Sequence, residues 1–151
     1  MTPGRSRRCW RRWTSSTARL PPNRPRPGCA QVAEALFTSP PAGYALLAWD
    51  GTQLAGLAAY SFLWPAVGLT RSLYLKELYV GGAYRRHGTG RLLMKAIFGT
   101  AAKHGCSRVE WTTGTGNTGA QNFYHSLGLP ELPSKVFYRA EGADITRPAL
   151  T

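Results

Sequence analysis

The chain has little that would staple it or bind a metal. Its three cysteines, Cys9, Cys29 and Cys106, form an odd set with no CxxC spacing, which fits an intracellular protein with free thiols better than a secreted disulfide framework. The three histidines, His87, His104 and His125, lie 17 and 21 residues apart, so no HxxxH pair exists and no metal site is expected. No run approaches the ~18 apolar residues of a membrane span, and no apolar region follows the first arginines as it would in a signal peptide. Acid is scarce too: seven Asp and Glu stand against nineteen Lys and Arg, a net charge of +12.

That charge is concentrated at one end. Residues 1–28 carry eight arginines and no acid, so the remaining residues are only mildly basic. Nucleic acid is therefore not the expected partner of the body of the chain. The leader is rich in Arg, Ser and Pro and shows neither strand nor helix periodicity, and its prolines Pro21, Pro22, Pro25 and Pro27 oppose the amphipathic helix of a transit peptide. Residues 1–28 are expected to be poorly ordered, and 29–151 to form a single domain. At 151 residues the chain is long enough to bury roughly 68–70% of its unfolded surface without crosslinks.

Hydrophobic periodicity predicts the order of elements. A short helix spans Ala30–Phe37 and stops at Ser39-Pro40-Pro41. Tyr44–Trp49 and Gln53–Tyr60 form a hairpin around Asp50-Gly51. Ser72–Val80 is a third strand, rich in Leu, Tyr and Val, ended by Gly81-Gly82. Leu92, Leu93, Ala96, Ile97 and Ala101 make a helical stripe over residues 88–104, with Gly105 where a left-handed cap belongs. A fourth strand follows at Ser107–Thr113, a helix at Asn117–Leu127 capped by Gly128, and a last strand at Val136–Ala140. The expected fold class is α/β, with a mixed, mostly antiparallel central sheet flanked by helices.

Chemistry concentrates between the third strand and the helix after it. In Arg85-Arg86-His87-Gly88-Thr89-Gly90 the glycines remove side chains where backbone N–H groups would approach a ligand, and the helix points its positive end at the same place. Two arginines add fixed charge. Such a turn suits a phosphate, although the turn by itself fits a plain glycine-rich helix entry equally well. A second glycine pattern, Gly114-Thr115-Gly116-Asn117-Thr118-Gly119, matches a dinucleotide fingerprint literally, but the hairpin upstream is the wrong class and too little chain follows for the remaining crossovers.

The R-x-x-G-x-G pattern filled by Arg85, Gly88 and Gly90, between a strand and an amphipathic helix, resembles the acetyl-CoA signature of the GNAT superfamily of N-acetyltransferases. Residues 117–129, NTGAQNFYHSLGL, resemble that family's second signature, with Leu129 in place of the usual aromatic. The likeness covers about residues 30–140. It implies acetyl-CoA as cofactor, with the backbone at Arg86, His87, Gly88, Thr89 and Gly90 and the charge of Arg85 on the pyrophosphate. Leu78, Tyr79 and Val80 would lie along the pantetheine arm, between strands that splay apart in the family, and Asn117 would approach from the other side.

The same resemblance casts the reaction as direct transfer of an acetyl group to a primary amine, expected to belong to a small molecule. Glu77, the sole acid between Asp50 and Glu110, is the candidate base. Strand alternation would put it on one face with Leu75 and Tyr79. Tyr124 is the candidate acid for the leaving thiolate, near the thioester sulfur, and the Tyr79 or Val80 N–H would polarise the carbonyl. Residues 58–64 and 72–80 are also similar to the diamine N-acetyltransferase branch, except that Lys76 stands where that branch commonly has the first of two acids, which weakens the case for a polycation. Tyr60, Phe62 and Trp64 are candidate amine contacts through cation–π attraction. Residues 1–28 depart from the strand and paired helices with which the family opens, so the N-terminal part is atypical. A non-catalytic acyl-CoA-binding module with a basic N-terminal arm is the alternative reading. A cytoplasmic protein is expected, a homodimer stays open, and the acceptor is not specified.

Overall fold

The computed structural model describes residues 10–12, 28–142 and 145, the first three by backbone alone. Most of the 1–28 leader falls outside the described residues, and residues 10–12 within it are a strand where the sequence showed no strand period. The chain divides into two compact units, residues 1–112 and 113–151.

The first unit holds a five-stranded sheet of β1 (Trp10–Arg12), β2 (Tyr44–Asp50), β3 (Gln53–Leu63), β4 (Arg71–Val80) and β5 (Cys106–Glu110), in that spatial order. The first three neighbour pairs are antiparallel and β4–β5 is parallel, as the α/β reading with a mixed, mostly antiparallel sheet requires. Helix α1 (Cys29–Phe37) precedes β2, and α2 (Thr89–Lys103) makes the crossover between β4 and β5. α1 buries no residue, and the Thr38 hydroxyl donates to the Glu34 carbonyl at its end.

α2 is the main covering layer. Good helix formers fill it, and Leu93, Met94, Ile97 and Ala101 repeat at helical spacing on its buried side. Leu93 and Ile97 are completely buried, and burying a side chain of this size is worth roughly 1.5–3 kcal/mol. Gly105, at φ +64°, ends the helix in the left-handed conformation expected of a cap, and its N–H reaches the Ala102 carbonyl. On the sheet side the helix meets Gly56, where a Cβ would lie 2.6 Å from the Tyr79 carbonyl oxygen and 3.2 Å from Leu93. The small residues of β3 thus let backbone and helix come close. Tyr44, Tyr60 and Phe62 form a ring cluster on the same face, with Phe62 against His104 at the end of α2.

Two irregularities shape β4. Tyr60 pairs with Leu75 but Ala59 pairs with Glu77, so Lys76 is an extra residue, a β-bulge. Directly paired residues share a face and successive residues of β3 alternate, so the bulge turns Glu77 away from Leu75. Leu75 lies with Tyr60 on the α2 side, while Glu77 and Tyr79 lie with Ala59 and Leu57 on the other. The alternation read from sequence was right for Tyr79 and wrong for Leu75. A signal for this was present: the apolar positions change parity, from Leu73 and Leu75 to Leu78 and Val80.

The second irregularity is where β5 stops. Its pairing with β4 runs from Arg71↔Cys106 to Tyr74↔Glu110, shorter than the strand predicted to Thr113. Beyond Tyr74, whose hydroxyl lies 3.2 Å from that of Thr112, residues 75–80 of β4 have no strand on that side among the described residues.

The second unit contains α3 (Thr118–His125) and a loop on either side of it. The predicted strand at Val136–Ala140 is absent. Its residues carry high strand propensity, but propensity forms no ladder without a partner, and Val136, Phe137 and Tyr138 are 75%, 62% and 87% exposed.

Candidate active site

Two stretches carry the predicted site residues, one in each unit. In the first unit, the open end of β4 leads into a 3-10 turn (Gly82–Tyr84) and then into the entry of α2. Glu77 and Tyr79 are exposed, and Leu78 and Val80 are half-buried. In an antiparallel strand every second residue turns its N–H and C=O to the outer side, so this stretch presents peptide groups able to take another extended chain.

The turn that follows is held in an unusual conformation. Arg86 has φ +61° and Gly88 φ +81°, so two left-handed residues lie in three. For Arg86 that conformation costs roughly 1–2 kcal/mol, the kind of local strain that collects at ligand sites. Left-handed residues within a turn bring successive N–H groups together into an anion-binding concavity, and α2 adds the first-turn N–H groups that no helix bonds internally. The first turn of α2 contains no acid, and Arg85, Arg86 and His87 are exposed beside it. Thr89, the first residue of α2, is buried.

Arg85 has a structural bond that the sequence did not reveal. Its Nε donates to the Val80 carbonyl oxygen at 3.1 Å, tying the end of β4 to the start of the turn while leaving the terminal guanidinium nitrogens for an anion. The residues therefore fit a pyrophosphate with a peptide-like arm.

The aromatic candidates separate. Tyr60 is 2% exposed within the ring cluster beneath α2 and offers no face to an amine, and Phe62 belongs to the same cluster. Trp64 is 68% exposed, with its indole N–H on the Leu69 carbonyl.

In the second unit, the Asn117 side chain caps α3 by accepting from the Ala120 N–H at 3.1 Å. Gln121, which sequence reasoning passed over, donates from Nε2 to the Gly114 and Thr115 carbonyls and fixes the glycine-rich loop to the helix. The glycines of that loop thus serve a helix entry. Tyr124 is half-buried against Phe123, and burial raises its hydroxyl pKa above the ordinary value, so the proton is retained at neutral pH. His125 pairs with Glu131 at 3.2 Å. Among the described residues no cluster of His, Cys, Asp and Glu is placed to hold a metal, and no helix is long and apolar enough to cross a membrane.

A family model, "Acetyltransferase (GNAT) family", matches residues 8–129. The chain is 33% identical over 75 residues to an L-ornithine N5-acetyltransferase of Arabidopsis thaliana, which covers 50% of this chain and 33% of that protein. It is 30% identical over 96 residues to a thialysine N-epsilon-acetyltransferase of Mus musculus, covering 62% of this chain and 56% of that one. The chain thus spans between a third and just over half the length of these curated relatives. Among solved structures, an integron cassette protein from the mobile metagenome of V. cholerae aligns with a TM-score of 0.69 and 30% identity, covering 78% of this chain and 75% of that one. An aminoglycoside N-acetyltransferase in complex with a CoA-based bisubstrate analog aligns at a TM-score of 0.65 over 80% of this chain and 84% of that one, and at 21% identity the likeness is one of fold. This chain belongs to the GNAT family of acetyltransferases.

Proposed function

We propose that the chain is a cytoplasmic enzyme that transfers an acetyl group from acetyl-CoA to a primary amine of a small molecule. The observation that carries this reading is continuous in sequence. A strand edge at 75–80 with no neighbour among the described residues runs directly into a strained, acid-free turn at the positive end of α2. Peptide groups along Leu78, Tyr79 and Val80 suit the amides of pantetheine. The backbone from Arg86 to Gly90, with Arg85, suits the pyrophosphate, and Asn117 retains its amide nitrogen for a further contact.

Acetyl-CoA supplies an acetyl group activated as a thioester. The neutral amine nitrogen attacks the carbonyl carbon, the carbon–sulfur bond breaks, and the Tyr79 or Val80 N–H stabilises the oxygen as charge develops. Glu77 takes the amine's proton, directly or through water, and Tyr124 gives its hydroxyl proton to the sulfur. Glu77 supports its part by being exposed and outside any ion pair among the described residues. Tyr124 supports its part by staying protonated. Trp64 is the aromatic left as an acceptor contact. Relatives named for acetylating N5 of L-ornithine and N-epsilon of thialysine support a primary amine as acceptor. The test is to titrate acetyl-CoA into the protein and then follow free thiol release across a panel of amines. Amine-dependent release is expected; binding without release by the folded protein would favour an acyl-CoA-binding module.

A further inference from the structure

The bulge sets two residues, Lys76 and Glu77, against the single residue Ala59. Both are exposed, and neither joins an ion pair among the described residues. Adjacent Cα atoms are ~3.8 Å apart, so a positive and a negative group leave the strand at one place. That place is just past Tyr74, where pairing with β5 has ended and β4 has no neighbour on that side among the described residues.

The charges around the pair are one-sided. The other acid on β4 and β5, Glu110, is already held by Arg108 at 2.9 Å. Toward the turn stand Arg85, Arg86 and His87, all exposed. An acceptor with two ammonium groups and no carboxylate would find one uncommitted carboxylate, Glu77, and would bring a second charge, offset by nothing, toward Lys76. An acceptor with one reacting amine and a carboxylate of its own would find a partner for each. A bulge with Ala at position 76 would have made the same bend, so the lysine charge is not required by the fold.

Building on the acetyl transfer proposed above, we infer that the acceptor is an amine that carries its own carboxylate, a diamino acid in type, and that Lys76 is the residue that selects it. Glu77 faces the amine, and the Lys76 ammonium, on its flexible stem, meets the carboxylate. Lys76 takes no proton and touches no reacting atom. Its effect is on acceptor binding. Between exposed charges ~4 Å apart the interaction is modest, and the discrimination expected is about fivefold, increasing to more than tenfold when the charge is reversed.

The experiment compares L-ornithine with putrescine, which has the same chain without the carboxylate, using the full chain and saturating acetyl-CoA. The wild type is expected to give a kcat/KM about fivefold higher for ornithine. Lys76→Glu is expected to reverse the order, through the acceptor KM and with the acetyl-CoA KM unmoved, and Lys76→Arg to keep the wild-type order. A wild type that prefers putrescine, or a preference that Lys76→Glu leaves in place, would overturn the inference. Turnover of other amines with neither compound accepted would overturn it while leaving the acetyltransferase reading intact. Turnover of no amine at all would remove both.

Discussion

Arg85 holds Val80: the guanidinium Nε donates to the carbonyl oxygen at 3.1 Å, closing a five-residue span between the last residue of β4 and the first of the turn. The sequence assigned Arg85 to the charge of an anion site. The structure gives it a prior task, fixing the direction in which the chain leaves the strand before Arg86 adopts its left-handed conformation.

Arg85→Lys separates these tasks, because lysine keeps the charge and lacks the planar fork that bonds a carbonyl and an anion together. Loss of the bond to Val80 is worth roughly 1–1.5 kcal/mol, about tenfold in acetyl-CoA affinity if the turn loosens accordingly. Calorimetric titration of acetyl-CoA is the check. Unchanged affinity in Arg85→Lys would assign the residue to charge alone.

Gly88 occupies φ +81°, and a Cβ built there meets nothing within 4 Å. A side chain at this position is thus opposed by backbone strain and not by crowding. Gly88→Ala is expected to cost about 1–2 kcal/mol of stability, read from denaturant unfolding. Gly88→Val adds a branched group where a phosphate would approach the backbone and should reduce acetyl-CoA affinity more than tenfold, beyond what its stability loss explains. Equal binding by the valine variant would place the phosphate elsewhere.

Gly56 is the opposite case. Its Cβ would sit 2.6 Å from the Tyr79 carbonyl oxygen and 3.2 Å from Leu93, so Gly56→Ala must push β4 or α2 away. Overpacking of this kind costs roughly 1–3 kcal/mol, seen as a lower denaturant midpoint with little change in slope. A neutral substitution would mean that β3, β4 and α2 separate more easily than the geometry implies.

Much of this was legible in the sequence. The strand–helix–strand order around α2, the hairpin and the helix caps follow from local signals, namely period, Asp50-Gly51 and Gly105, which act over a few residues. What local signals miss are consequences of pairing. The Lys76 bulge exists because β3 and β4 fall out of step, and it alone decides that Glu77 and Leu75 part company. Tyr60 reads as an amine contact until the rings of Tyr44 and Phe62 close around it. Val136–Ala140 reads as a strand, but a strand is defined by its neighbour. Asn117 and Arg85 were assigned to a ligand, and each also has a bond that holds its own turn together.

Tyr124 carries the pH prediction. Burial disfavours the phenolate, so its pKa lies above the ordinary tyrosine value and the hydroxyl remains a donor as pH rises through that value. Turnover that depends on this proton is therefore retained through the ordinary tyrosine range and declines only above it. Tyr124→Phe removes the proton and is expected to lower kcat by about 10²–10⁴-fold, with acetyl-CoA affinity largely kept. An unchanged rate would remove Tyr124 as the acid.

The most direct measurement of the central claim is mass spectrometry of the amine recovered after incubation with the protein and acetyl-CoA, with thiol release counted in the same sample. The expected result is an N-acetylated amine formed in a one-to-one ratio with free coenzyme A, and lost in Gly88→Val. Free coenzyme A without acetylated amine, or no release from folded protein that binds acetyl-CoA, would contradict it.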